Sequence, residues 1–158
     1  MSIIKKITLS LFFSIFIFCN SGSAEEIKKV GQFKDWEAVV YLNGVDKICF
    51  AQSKPVLQSP KKVEREARLF VSFRPNEKIV DEVSTTSGYK YNQQNTVSAK
   101  SGKSSYKFDI KQESFAWIAD NKIERKIIKT MKKASRIMVT GYNLSLIHIS
   151  EPTRQFAI

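Results

Sequence analysis

The chain has 158 residues, with 26 Lys and Arg against 15 Asp and Glu, one His, two Cys and a net charge of +11. That length makes one domain at most. A single His and two Cys leave almost no room for His-based catalytic networks, a multi-Cys metal centre or a disulfide framework.

Read from the start, Lys5 and Lys6 precede a run over 7–18 of apolar residues interrupted only by Thr8, Ser10 and Ser14, and 19–24 turns small and polar. This is the three-part pattern of an export signal. A spanning helix needs roughly 20 apolar residues, and this run is shorter, which disfavours an uncleaved anchor. Gly22-Ser23-Ala24 supplies small residues where a signal peptidase reads, so 1–24 is read as a signal peptide cleaved after Ala24. Bulky Phe18 before Cys19 disfavours a lipoprotein signal. The expected location is periplasmic or secreted, with no transmembrane segment after cleavage.

Along the next stretch the dominant period is two. Trp36, Ala38, Val40 and Leu42 alternate with Glu37, Val39 and Tyr41, and Ala67, Leu69, Val71 and Phe73 alternate with Arg68, Phe70, Ser72 and Arg74. Such alternation predicts strands with a buried face. Further strands are predicted at 47–52, 79–84, 96–99, 106–110, 115–118 and 137–142. Turn-forming Asn43-Gly44, Ser87-Gly88, 92–95 and Ser101-Gly102 separate them. Asn-Gly is the firmest hairpin signal. The fold class expected is all-β, an antiparallel β-sandwich with one short amphipathic helix near the C-terminus.

That helix is predicted over 121–134, where Ile123, Ile127, Met131 and Ala134 make one apolar stripe and Asp120 or Asn121 caps the first turn. Lys122, Arg125, Lys126, Lys129, Lys132 and Lys133 occupy its other faces. A solvated face accounts for them most simply. The functional alternative is a contact for an anionic partner: anionic lipid, acidic polysaccharide or an envelope protein.

From Leu144 to Arg154 the chain resembles the translated read-through of a transposase-based sequencing adaptor, and 144–158 is therefore expected to be an artefactual tail; the alternative is a natural C-terminal strand, which Pro152 and the mixed pattern suit poorly. His148 then carries no functional weight. Without Lys5, Lys6, Arg154 and Glu151 the remaining domain, 25–143, still has a net charge of +9. Cys49 is its one cysteine, read as a small buried apolar residue, with pairing between chains as the alternative.

Taken in order, Phe33-Lys34-Asp35-Trp36, the run 47–55 (Lys-Ile-Cys-Phe-Ala-Gln-Ser-Lys-Pro), Phe73-Arg74-Pro75, Glu82-Val83-Ser84, Gly88-Tyr89, Ala116-Trp117 and Met131-Lys132-Lys133-Ala134-Ser135 resemble invasion-associated locus B proteins. The likeness covers 32–143. It implies an exported β-sandwich of proteobacteria, linked in pathogens to host-cell entry and without an established biochemical activity. Such proteins continue with a Gly-Thr-rich turn and a Tyr-Ser-Leu-containing strand, which this chain lacks, so the sandwich is expected to miss its last strand. Ala134 stands where the family usually has Gly, which a helix end tolerates if φ stays negative.

Core packing explains Trp36 and Trp117 without a ligand. Arg74 and Glu82 can pair, and a structural ion pair is expected rather than acid/base catalysis, since a lone carboxylate lacks a His, metal cluster or nucleophile as partner. Ser84-Thr85-Thr86-Ser87 offers hydroxyls without an evident activating base. Nucleic acid is not expected as a partner: the basic residues are spread along the chain, no reading motif is present, and export removes the protein from the nucleoid. The expectation is a binding protein of the bacterial envelope with no catalytic residues, cofactor or metal. The alternatives are an envelope hydrolase with a Ser/Lys or carboxylate site assembled by folding, and a purely structural envelope protein. The oligomeric state is left open.

Overall fold

A computed structural model describes residues 25–61 and 65–145 and, for the backbone alone, 148–154. The expected signal peptide, 1–24, and the end of the expected tail, 155–158, lie outside these residues.

Strands β1 (Glu26–Phe33), β2 (Trp36–Asn43), β3 (Asp46–Ser53), β4 (Ala67–Arg74) and β5 (Ile79–Ser87) follow one another, then β6 (Val97–Ser101), β7 (Ser104–Phe108), β8 (Ile110–Gln112) and β9 (Phe115–Trp117). Helix α1 (Asn121–Met131), β10 (Arg136–Tyr142) and β11 (His148–Arg154) complete the described chain. All pairings are antiparallel and build two sheets, ordered β1-β2-β3-β4-β5-β9-β8 and β11-β10-β6-β7. The expected all-β class with one α-helix near the C-terminus is what the described residues form. Strands β1 and β8 were not expected as separate elements; β1 is exposed along most of its length, so it offers no hydrophobic alternation to read.

Short hairpins set the registers. Phe33 pairs with Trp36, Asn43 with Asp46, Ser101 with Ser104 and Gln112 with Phe115, leaving two-residue loops. Each loop opens on a residue of positive φ: Lys34 (54°), Gly44 (60°), Gly102 (56°) and Glu113 (53°). That backbone hand matches the twist of the flanking strands. The Asn-Gly turn is shifted by one position from expectation: Asn43 still belongs to β2, and Gly44-Val45 forms the loop. Between β4 and β5, Ser72 pairs with Glu82 but Arg74 with Ile79, so Phe73 faces the two residues Val80 and Asp81 in a bulge. Asp81 takes φ 65° there, a conformation that Asp tolerates better than most residues.

One core joins both sheets and the helix. Trp36, Leu69, Val71, Val83 and Ala116 enter it from the larger sheet, Val97, Ala99, Phe108, Ile137 and Val139 from the smaller, and Ile127 and Met131 from α1. Burying each of the Val, Leu, Ile, Met and Phe side chains among them contributes about 1.5–3 kcal/mol. Of the predicted helix stripe, Ile127 and Met131 are buried, whereas Ile123 and Ala134 are only half-buried and Glu124 takes a buried place. The helix stops at Met131, short of 134, where the Lys133 N–H turns to the Thr130 carbonyl three residues back, at 3.0 Å, tightening the last turn. Ala134 adopts no left-handed conformation, so its Cβ carries no penalty.

Two core expectations need correction. Trp36 is buried at 2% exposure, but Trp117 is only half-buried and points to the outer face of the larger sheet. The inward position on β9 belongs to Ala116, and side chains alternate along a strand. Cys49 likewise is half-buried rather than buried.

Beyond Asn143 the smaller sheet does not end. Strand β11 pairs along β10 from Arg136 with Arg154 to Tyr142 with His148. The edge position expected to be vacant is thus occupied by part of the segment 144–158. Pairing of this kind uses backbone groups common to any sequence, and Pro152 is compatible with an edge strand, whose outer side needs no donor.

Candidate functional site

Two surfaces bring polar chemistry together. The first is α1. Asp120 caps it, its carboxylate accepting the Lys122 N–H at 2.6 Å while its carbonyl accepts the N–H groups of Ile123 and Glu124. With Ile127 and Met131 facing the core, the 100° spacing of a helix turns Lys122, Arg125, Lys126 and Lys129 outward; these and Lys132 and Lys133, just past the helix end, are all exposed. None of them makes an ion pair with another described residue. Tyr106 secures the helix to β7 through a 2.6 Å hydrogen bond between its hydroxyl and that of Thr130.

The second surface lies on the outer face of the larger sheet. A cleft of about 470 Å³ runs between the end of β4, β5, β8, β9 and the first turn of α1; Arg74, Lys78, Glu82, Gln112, Trp117 and Glu124 are among its walls. It continues, through shared Arg74, Glu82 and Trp117, into a shallower depression of about 290 Å³ floored by Phe50, Phe70 and Phe115. The rings form a row: Phe50–Phe70 at 6.1 Å between centroids, Phe70–Phe115 at 6.2 Å and Phe115–Trp117 at 5.7 Å.

At the join, Arg74 grips Glu82 with both terminal nitrogens, at 2.9 and 2.6 Å, and its Nε donates to Glu77 at 3.1 Å. This is the ion pair expected from sequence, in fork-to-carboxylate geometry. The Glu82 carboxylate raises the pKa of Arg74 above its ordinary value. Glu124, only 4% exposed, accepts the Val83 N–H at 2.9 Å. Burial raises its pKa above the usual carboxylate value, against the opposing effect of that hydrogen bond.

The hydroxyl tract has structural duties. Ser84, Thr85, Thr86 and Ser87 are all buried. Thr85 donates to the Arg68 carbonyl at 3.0 Å, Thr86 accepts the Gly88 N–H at 3.3 Å, and Ser87 shares a hydrogen bond with the Tyr91 hydroxyl. Lys111 is engaged by three carbonyls, of Asn92, Gln93 and Asn95. Among the described residues no group of three or more His, Cys, Asp and Glu side chains is placed to hold a metal ion, and no helix is long and apolar enough to cross a membrane.

The basic helix was legible from spacing alone, whereas the aromatic row and Glu124 were not. Their signal existed, since Phe50 lies between Cys49 and Ala51, Phe70 between Leu69 and Val71, and Phe115 and Trp117 flank Ala116: each large ring sits out of phase with an inward neighbour. Comparison with protein-family models, curated proteins and solved structures finds no match to this chain.

Proposed function

We propose that this chain is an exported, non-catalytic binding protein of the bacterial envelope that contacts an anionic partner, lipid headgroups or acidic polysaccharide, through α1. The observation that carries this reading is the set of outward Lys and Arg residues on a helix whose inner stripe is locked into the core and whose charges find no ion-pair partner among the described residues. Its supports are the signal-like pattern of 1–24 and the resemblance to invasion-associated locus B proteins. Each Lys or Arg held near an anionic surface contributes about 1 kcal/mol. Vesicles containing phosphatidylglycerol, or immobilised heparin, are expected to retain the chain at low salt and release it near about 0.5 M, where screening shortens the reach of charge to a few ångströms. Reversal of Lys126, Lys129 and Lys133 to Glu is expected to abolish retention; unchanged retention would remove the helix from the reading.

A second reading, an envelope hydrolase, draws on Glu82 and Glu124 lining one cleft in different environments, one paired with Arg74 and the other pushed toward its neutral form by burial. Binding is favoured over it because Glu124 is almost wholly covered and its Oε1 already accepts the Val83 N–H. Release of reducing ends from envelope glycans by the chain, lost in Glu124→Gln, would reverse that preference.

A further inference from the structure

We propose that the groove joining the Trp117 cleft to the row Phe50–Phe70–Phe115 is a binding site for an extended, uncharged glycan chain. This goes beyond the anionic contact at α1 and uses none of its basic residues.

Pyranose units present two chemistries at once, an apolar face of C–H groups and a rim of hydroxyls that both donate and accept. The groove presents the complements side by side. Its floor is aromatic and partly exposed, Phe115 at 38%, so rings are available to an apolar sugar face. Centroid spacings of 6.1, 6.2 and 5.7 Å are comparable with the length of one sugar unit; Phe70, Phe115 and Trp117, inclined by 30° and 24° in successive pairs, suit successive units, while Phe50 stands at 66° to Phe70 and closes the row.

The polar half sits at the join. A guanidinium carries five N–H groups, and the bonds of Arg74 to Glu82 and Glu77 use one from each nitrogen. Two further N–H groups and the outer lone pairs of the Glu82 carboxylate stand together as fixed donors and acceptors, the pattern that adjacent hydroxyls need. The amides of Gln112 and Asn121 add to it from the cleft wall.

Charge selects against other occupants. Arg74, the cation at the join, is already paired with Glu82 and Glu77, in contrast to the one-sign surface of α1, so the groove offers an anion little net positive charge. A lipid chain laid along the rings would strip water from the Arg74–Glu82 pair without replacing its hydrogen bonds. A peptide added as a strand would find at this side of the sheet the short edge β8, Ile110–Gln112, and the stretch of β5 broken by the bulge at Val80-Asp81, neither of which offers a regular ladder.

The test is calorimetric titration of the full chain with chitohexaose, cellohexaose and maltohexaose, repeated in about 0.5 M NaCl. At least one of the three is expected to bind with salt-insensitive affinity and to shift tryptophan emission to the blue, a response of Trp117 because Trp36 is buried. Trp117→Ala is expected to weaken that binding about tenfold or more, and Phe70→Ala, on another strand, to do likewise in a chain whose circular dichroism is unchanged. Reversal of Lys126, Lys129 and Lys133 is expected to leave it intact, which separates this site from the helix. Absence of binding by all three hexasaccharides at millimolar concentration, binding unaltered by both aromatic substitutions, or binding lost on addition of salt would each overturn the proposal.

Discussion

Glu124 of α1 accepts the backbone N–H of Val83 in β5 at 2.9 Å, from a side chain that is 4% exposed. The contact ties the helix to the sheet beside the bulge at Asp81, and the pKa of this carboxylate is raised by its burial. A raised carboxylate binds its proton more tightly folded than unfolded, so its contribution to stability is fully present below the unfolded value and is lost as pH rises through the folded one. Wild-type stability, measured by urea denaturation from the usual carboxylate range up to neutrality, is therefore expected to fall relative to Glu124→Gln, which keeps an acceptor for Val83 without a charge. Glu124→Ala, which leaves the Val83 N–H unpaired, is expected to cost about 1–3 kcal/mol at any pH. Parallel pH profiles for wild type and the Gln variant would contradict the assignment.

The Arg74–Glu82 pair is held by two bonds at side-chain exposures of 24% and 17%, which places it between a surface pair and a buried one. Loss of either partner is expected to cost about 1–3 kcal/mol, since it strands a partly covered charge. Arg74→Lys is expected to recover little, because an ammonium cannot reproduce the two-pronged grip. A double-mutant cycle on Arg74 and Glu82 reads the coupling; a value near zero would make the pair incidental to the fold.

Gly88 holds φ at 71°, and a Cβ there would come within 2.8 Å of the Glu66 backbone nitrogen. Both strain and collision oppose a side chain, so Gly88→Ala is expected to destabilise by about 1–3 kcal/mol, visible as a lower midpoint of thermal unfolding. Gly102 has a similar φ of 56° but open space around it, so Gly102→Ala meets strain alone and is expected to cost less. Equal losses at the two positions would show that backbone conformation, rather than contact with Glu66, sets the penalty.

Much of the fold was legible because strand alternation and turn residues are local properties. Ala67–Arg74 was predicted with the limits it has, and the strands at 36–42, 47–52 and 137–142 were placed to within a residue at each end. The first hairpin partner, β1, has no signature in the sequence because an exposed edge strand is held by its neighbour's backbone and needs no apolar pattern of its own. Trp117 was assigned to the core on size, yet a ring of that size is stable on either face when Phe115 stacks beside it.

The sequence by itself determined that this is a β protein with one basic, amphipathic helix, because periods of two and of 3.6 residues are written in nearest neighbours and survive without knowledge of the rest. Only the tertiary structure decided which face of each strand meets the core, that Glu124 is buried against Val83, and that Phe50, Phe70, Phe115, Trp117 and the Arg74–Glu82 pair line one groove. Those relations join residues far apart in the chain through strand register, and register is set by the packing of the whole sheet rather than by any one segment.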